Sequence, residues 1–175
     1  MSHLIMRRPN LGNLPDVPEL PEGYLLRLYQ TTDRASLAIL LAEAFEDPQW
    51  TQERVRETLT ESTEVEAVYV VECAGRIVAT ASARLLPDIF PGSGYLHWMA
   101  VSPEHRGKHL GYAVTLAVLH EFARLGCKDA VLETQDARLA AIRIYKSVGF
   151  LPEHTHETHP ERWSKIAELI TAIGL

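Results

Sequence analysis

The stretch Val101, Ser102, Pro103, Glu104, His105, Arg106, Gly107, Lys108, His109, Leu110, Gly111 constrains the fold more than any other part of the chain. It joins an apolar, strand-like run to an apolar, helix-like one through a basic turn carrying two glycines. A strand ending near Val101 feeds a loop in which Gly107 and Gly111 let the backbone approach a ligand closely. The first N–H groups of the following helix have no intrahelical partner and point out of its N-terminus. With Arg106 and Lys108 as countercharge, such a turn is suited to holding phosphate.

The elements around this turn follow from periodicity and punctuation. Leu110 to Leu125 reads as a helix, with Ala113, Leu116, Ala117, His120 and Ala123 along one face and Gly126 as its stop. Ala130 to Thr134 reads as a strand, Arg138 to Val148 as a helix ended by Gly149, and Phe150 opens another strand. Upstream, Tyr24 to Tyr29 is strand-like, and Asp33 caps a helix carrying Leu37, Leu40, Leu41 and Phe45. A short helix from Thr51 to about Leu59 precedes a hairpin of Ala67 to Cys73 and Arg76 to Leu85, turned at Ala74 and Gly75. Tyr95 to Val101 is the next strand, with alternation putting Tyr95, His97 and Met99 on one face and Leu96, Trp98 and Ala100 on the other. Hairpin-linked strands followed by βαβαβ alternation predict an α/β fold: a central mixed β-sheet flanked by helices.

Both ends of the chain are distinctive. Residues 1 to 22 hold Pro9, Pro15, Pro18 and Pro21, which disfavours regular structure and predicts an extended arm ahead of a single domain over 23–175. Pro160 to about Ile173 reads as an extra final helix whose stripe of Trp163, Ile166, Ile170 and Ile173 calls for burial against the sheet, the arm or a second subunit. A homodimer is one way to cover it. With 175 residues, 46% hydrophobic and 23% charged, the chain has the makings of an ordinary globular domain. A formal net charge of -6 argues against nucleic acid as partner. No apolar run approaches the roughly 20 residues a membrane span needs. Cys73 and Cys127 read as reduced thiols of a cytoplasmic protein.

Taken with Tyr145, Lys146, Ser147, Val148, Gly149 and Phe150, the turn at Arg106 to Gly111 resembles the acetyl-CoA signature of the GCN5-related N-acetyltransferases. The resemblance spans Tyr95 to Phe150 by motif and Gly23 to Arg84 by element order. It implies an acetyl-CoA-dependent transfer of an acetyl group to a small-molecule or peptide amine, by direct attack on the thioester. It also implies that Met99, Ala100 and Val101 offer backbone amides to the acetyl and pantetheine groups, and that Gly107, Lys108, His109, Leu110, Gly111 and Tyr112 hold the pyrophosphate with Arg106. Two positions depart from the pattern. His109 stands where the family usually has Gly, and Arg138 replaces the Asn that often opens the following helix and contacts the cofactor.

In the same resemblance Tyr145 is the group beside the departing sulfur. A tyrosine near pKa 10 facing a thiol near 8.5 is about 2 kcal/mol short of full proton donation, so hydrogen bonding to the thiolate is as credible as proton transfer. Glu133 and His97 are the candidate bases. A glutamate near 4.3 is mismatched to an amine near 10 by roughly 8 kcal/mol, whereas His97 near 6.5 is the better match. Each also has a structural reading, His97 as a hydrogen-bonded core histidine and Glu133 as a strand-end carboxylate paired with Arg138 or Lys128. Two rival functions stay open: a non-catalytic acyl-CoA sensor, and a metal-binding module built on His154, His156 and His159. The spacing of those histidines is not that of a recognised zinc site and no metal is expected; a wall of the acceptor pocket, with Trp163, is the alternative role.

Overall fold

The computed structural model describes residues 3–173, so the first two positions of the expected arm and the last two of the chain lie outside the described residues. Twelve elements alternate along it. Strand β1 (Leu4–Arg8) is followed by β2 (Tyr24–Leu28), α1 (Arg34–Phe45) and α2 (Gln52–Val55), which runs into a π turn. Then come β3 (Val65–Cys73), β4 (Arg76–Leu85), β5 (Ser93–Val101), α3 (Leu110–Arg124), β6 (Asp129–Thr134), α4 (Leu139–Ser147), β7 (Leu151–Glu153) and α5 (His159–Ala172).

The seven strands form one mixed sheet in the order β2-β3-β4-β5-β6-β1-β7. The expected hairpin is present, with Ala74 and Gly75 both at positive φ in its turn, the backbone that a tight two-residue connection demands. Two cores sandwich the sheet. The larger lies under α3, α4 and α5 and includes Leu96, Leu116, Phe122, Ile142, Phe150, Trp163 and Ile166; the smaller, under α1 and α2, is built on Leu37, Leu41, Trp50, Val55 and Val70. The final helix therefore buries Trp163 and Ile166 against the chain's own core, leaving Ile173 exposed, and its stripe needs no second subunit.

One expectation of the sequence is corrected here. Leu4 to Arg8 is not part of an irregular arm but a strand inside the sheet, antiparallel to β6 on one side and to β7 on the other. Leu4 and Met6 are fully buried, and Arg7 spans β5, β6 and β7 with bonds to Ser93 (3.2 Å), Asp129 (2.8 Å) and Glu153 (2.5 Å). The five residues precede the first proline, so nothing in the arm's composition acts on them, and Leu4 and Met6 alternate as a half-buried strand should.

Beyond Arg8 the chain does run as a strap. Leu11, Leu14, Val17 and Leu20 pack on the main core, and His120 of α3 bonds the Pro15 carbonyl at 2.9 Å. The strap climbs from the C-terminal to the N-terminal end of α3 before Tyr24 meets His105 at 2.9 Å and opens β2. Covered by the sheet on one side and the strap on the other, α3 buries eleven of its fifteen residues.

Candidate functional site

Strands β5 and β6 are parallel but paired only where Ser93, Gly94 and Tyr95 meet Asp129, Ala130 and Val131. Past Tyr95 they part, leaving a split whose walls are the Leu96–Val101 and Leu132–Thr134 backbones. Gly94 lets this junction close tightly, because a Cβ there would stand 2.2 Å from Phe122 Cγ.

Within the split β5 carries a bulge. Thr80 pairs with Ala100 and Ser82 with His97, so Trp98 and Met99 share the space opposite Ala81, and Trp98 takes a φ of 48°. The expected alternation fails at this point. Met99 and Val101 turn into the larger core with Leu96, while Trp98 and Ala100 join the smaller core on the α1 side. A β-branched or bulky residue is disfavoured at positive φ by steric contact, and holding Trp98 there costs about 1–3 kcal/mol. The bulge interrupts the ladder to β4 at Trp98 and Met99, and pairing resumes at Ala100 and Val101.

The basic turn lies at the end of β5. A single helical turn, Pro103–His105, leads to Gly107 at φ 76° and His109 at φ 58°, the latter being the N-cap of α3. His109 thus occupies the left-handed conformation that makes Gly the usual choice, and its side chain makes no cap bond. The first intrahelical bond joins the Ala113 N–H to the His109 carbonyl at 3.0 Å, so the amides of Leu110, Gly111 and Tyr112 remain at the open helix end. Gly111 is needed for packing: its Cβ would stand 2.9 Å from Ile144 Cδ1 and 3.3 Å from Val101 Cγ2, so α3, β5 and α4 meet closely here. Arg106, Gly107 and His109 are exposed, with Lys108 and Tyr112 half-buried beside them.

On the β6 side, α4 sets two groups against the split. Tyr145 is buried in the main core against Phe150, and its hydroxyl makes no hydrogen bond among the described residues. Burial pushes that hydroxyl up to about 12, against a smaller opposing pull from the Arg138 charge. Arg138, the N-cap residue of α4, crosses the split: its guanidinium donates to the Met99 carbonyl at 3.1 Å and lies 4.4 Å over the Phe45 ring. No carboxylate pairs with it among the described residues.

The two candidate bases have different surroundings. His97 is lowered to about 3, first by burial and then by the Arg84 guanidinium, whose Nη1 is 3.5 Å from Nε2. Burial and that charge thus keep the imidazole neutral and weakly basic. Glu133 is exposed on β6 and accepts a hydrogen bond from the Tyr95 hydroxyl at 3.1 Å rather than pairing with Arg138 or Lys128.

The sequence reading missed an aromatic series along this face of β5. Phe90, Tyr95, His97 and Trp98 follow one another at ring separations of 5.8, 5.8 and 5.3 Å, and Trp98 meets Phe45 and Trp50 edge-on at 4.9 and 4.7 Å. Strict alternation hides it, because Trp98 shares a face with His97 only through the bulge. The C-terminal histidines do not converge on it. His159 is buried, with Nδ1 at 3.2 Å from the Glu153 carbonyl, while His154 and His156 are exposed; among the described residues no three His, Cys, Asp or Glu side chains surround a metal-sized space.

A mixed sheet split between two parallel strands, with an open helix N-terminus following one of them, defines a class of α/β domain by its architecture. The chain belongs to the Acetyltransferase (GNAT) family, whose model matches residues 34–150. It is 34% identical over 154 residues to the mycothiol acetyltransferase of Thermobispora bispora, covering 83% of this chain and 52% of that protein. The chain thus spans about half the length of the curated relatives it matches. Among solved structures it is similar to a GCN5-related N-acetyltransferase from Sphaerobacter thermophilus, at TM-score 0.69 and 25% identity over 87% of this chain and 48% of that one. The ribosomal-protein-S18-alanine N-acetyltransferase of Escherichia coli shares the fold at TM-score 0.62 and 21% identity, over 75% and 79% of the two chains.

Proposed function

We propose that this chain is an acetyl-CoA-dependent N-acetyltransferase acting on a primary amine by direct attack on the thioester. The reading is supported by the bulged β5 strand at the β5–β6 divergence, the open amide end of α3 that follows it, and Arg138, which bonds the Met99 carbonyl and whose charge is felt by the unbonded Tyr145 hydroxyl. The residues present fit the cosubstrate. Leu110, Gly111 and Tyr112 offer amides to a pyrophosphate, with Arg106 and Lys108 as countercharge, and Met99, Ala100 and Val101 offer backbone to an extended pantetheine. When bound, acetyl-CoA supplies an activated acetyl group on a thiol leaving group.

The chain's own contribution is positioning and charge. Backbone N–H groups of β5 past the bulge polarise the acetyl carbonyl without reorganising, and holding the amine in place lowers its entropic barrier. Glu133, open to solvent and oriented by Tyr95, takes the proton shed by nitrogen as the N–C bond forms, directly or through water. The C–S bond breaks, and the electron pair stays with sulfur, which acquires a proton in exchange for the one released. Tyr145 at about 12 is roughly 5 kcal/mol too weak an acid to protonate a thiolate near 8.5, so it serves by hydrogen-bonding the departing sulfur. Phe45 and Trp98 supply an apolar wall for the body of the amine.

Calorimetric titration with acetyl-CoA and CoA tests the reading, beside Arg106→Ala and Tyr145→Phe. Micromolar binding that weakens in Arg106→Ala and persists in Tyr145→Phe, followed by amine-dependent thiol release, is the expected result. A folded protein that binds neither ligand refutes the proposal; tight binding with no turnover against any amine marks a sensor instead.

A further inference from the structure

The strap between β1 and β2 ends beside the basic turn, and the two enclose a groove. Its volume is about 590 Å³, and it lies between Pro18–Pro21 on one side and Gly107–His109 with Tyr112 on the other. The strap wall is apolar through Pro18, Leu20 and Pro21, with Glu19 the acidic exception. The opposite wall is cationic and amide-rich: Lys108, His109 and the open end of α3.

Neither wall is loose. Leu14, Val17 and Leu20 are packed on the main core, Pro15 is bonded by His120, and Tyr24 just beyond the groove is bonded to His105 of the turn. Two prolines bracket the segment and restrict its φ angles, so the wall is set before any ligand arrives. An apolar plate facing a cationic, amide-lined one suits a ligand with a flat base on one side and phosphates on the other.

We infer that the strap is part of the donor site, its Pro18–Pro21 segment forming the second wall of a subsite for the nucleotide end of acetyl-CoA. This rests on the acetyl-CoA reading above and adds a binding element outside the residues the family model matches, which begin at Arg34. The groove is lined by none of Met99, Ala100 or Val101, so the effect of the strap should fall on the adenosine phosphate half and spare the pantetheine.

Binding of acetyl-CoA is compared with that of S-acetyl-4′-phosphopantetheine, which lacks the nucleotide, in the full chain and in the Pro18→Gly, Leu20→Ala double variant. The expected result is a tenfold or greater weakening for acetyl-CoA with less than a twofold change for the truncated donor. Leu11→Ala, elsewhere on the strap and away from the groove, serves as the control and is expected to treat the two donors alike. Equal weakening of both donors in the double variant, or no change in either, overturns the inference while leaving the donor site intact. Failure of the unmodified protein to bind either donor defeats the underlying reading as well. Hydrogen exchange on the unmodified protein settles the matter if the double variant does not fold: the Glu19 and Leu20 amides should slow with acetyl-CoA and not with the truncated donor, and equal exchange in both overturns the inference.

Discussion

His97 should make this fold acid-sensitive in a way that one substitution removes. Its imidazole sits between Tyr95, Trp98 and the Arg84 guanidinium, and is lowered from the ordinary 6.5 to about 3 by burial and by that charge. Folding therefore favours the neutral ring. Its contribution is full above pH 6.5, declines as the unfolded chain becomes able to bind the proton that the folded chain refuses, and is exhausted near pH 3. At pH 5 the solution is about 1.5 units below the pKa of the unfolded imidazole, which corresponds to about 2 kcal/mol of lost stability from this residue alone. His97→Gln keeps an acceptor for Arg84 and cannot take up the proton. Urea unfolding of both proteins at pH 7.5 and pH 5 isolates the difference, since every other group is common to the two. The unmodified protein should lose about 2 kcal/mol more than the variant over that interval. Equal losses would show that His97 is protonated in the folded state, and would restore it as a candidate base.

Tyr145→Phe should lower kcat by about a hundredfold while moving the acetyl-CoA Kd less than twofold, as expected when a group acts on the leaving sulfur and not on the resting thioester; steady-state kinetics beside calorimetry checks the split. Leu4→Ala should destabilise by about 2–5 kcal/mol, because a fully buried side chain of a central strand leaves a cavity, whereas Leu25→Ala on the exposed edge of β2 should cost under about 1 kcal/mol; urea midpoints compare them. His109→Gly should stabilise by about 0.5–1 kcal/mol, relief of left-handed strain exceeding the added chain entropy, and a lower urea midpoint would contradict the N-cap geometry. Gly94→Ala should cost about 1–3 kcal/mol as Phe122 is forced from the β5–β6 junction, read the same way.

The elements legible in the sequence were those whose signals are local. Gly126 at φ 76° and Gly149 at φ 88° end their helices where a left-handed stop was expected, and the Ala74–Gly75 turn fixes the hairpin register through two adjacent positive φ angles. Strand β1 was hidden for a non-local reason. Its five residues carry only two inward side chains, and what makes Leu4–Arg8 a strand is the vacant ladder between β6 and β7, a property of residues more than a hundred positions away. Arg138 shows the same limit at the site. Its place at the head of α4 could be read from the chain, but its reach across the split to Met99 and Phe45 depends on how far β5 and β6 diverge.

The bulge at Trp98 accounts for the largest departure at the site, and one cause explains three observations. Adding a residue to β5 opposite Ala81 interrupts the ladder to β4 at Trp98 and Met99, turns Met99 inward to pack beside Gly111, and turns Trp98 outward against Phe45 and Trp50. A regular strand would present Met99 beside His97 and bury Trp98 under α3, and the aromatic series would not form. The strain held at Trp98 is tolerated because two edge-on ring contacts anchor the indole on the side to which the bulge delivers it. Local alternation fails at the stretch of β5 that the proposed function assigns to a ligand, which is where consistency between sequence pattern and fold is expected to break.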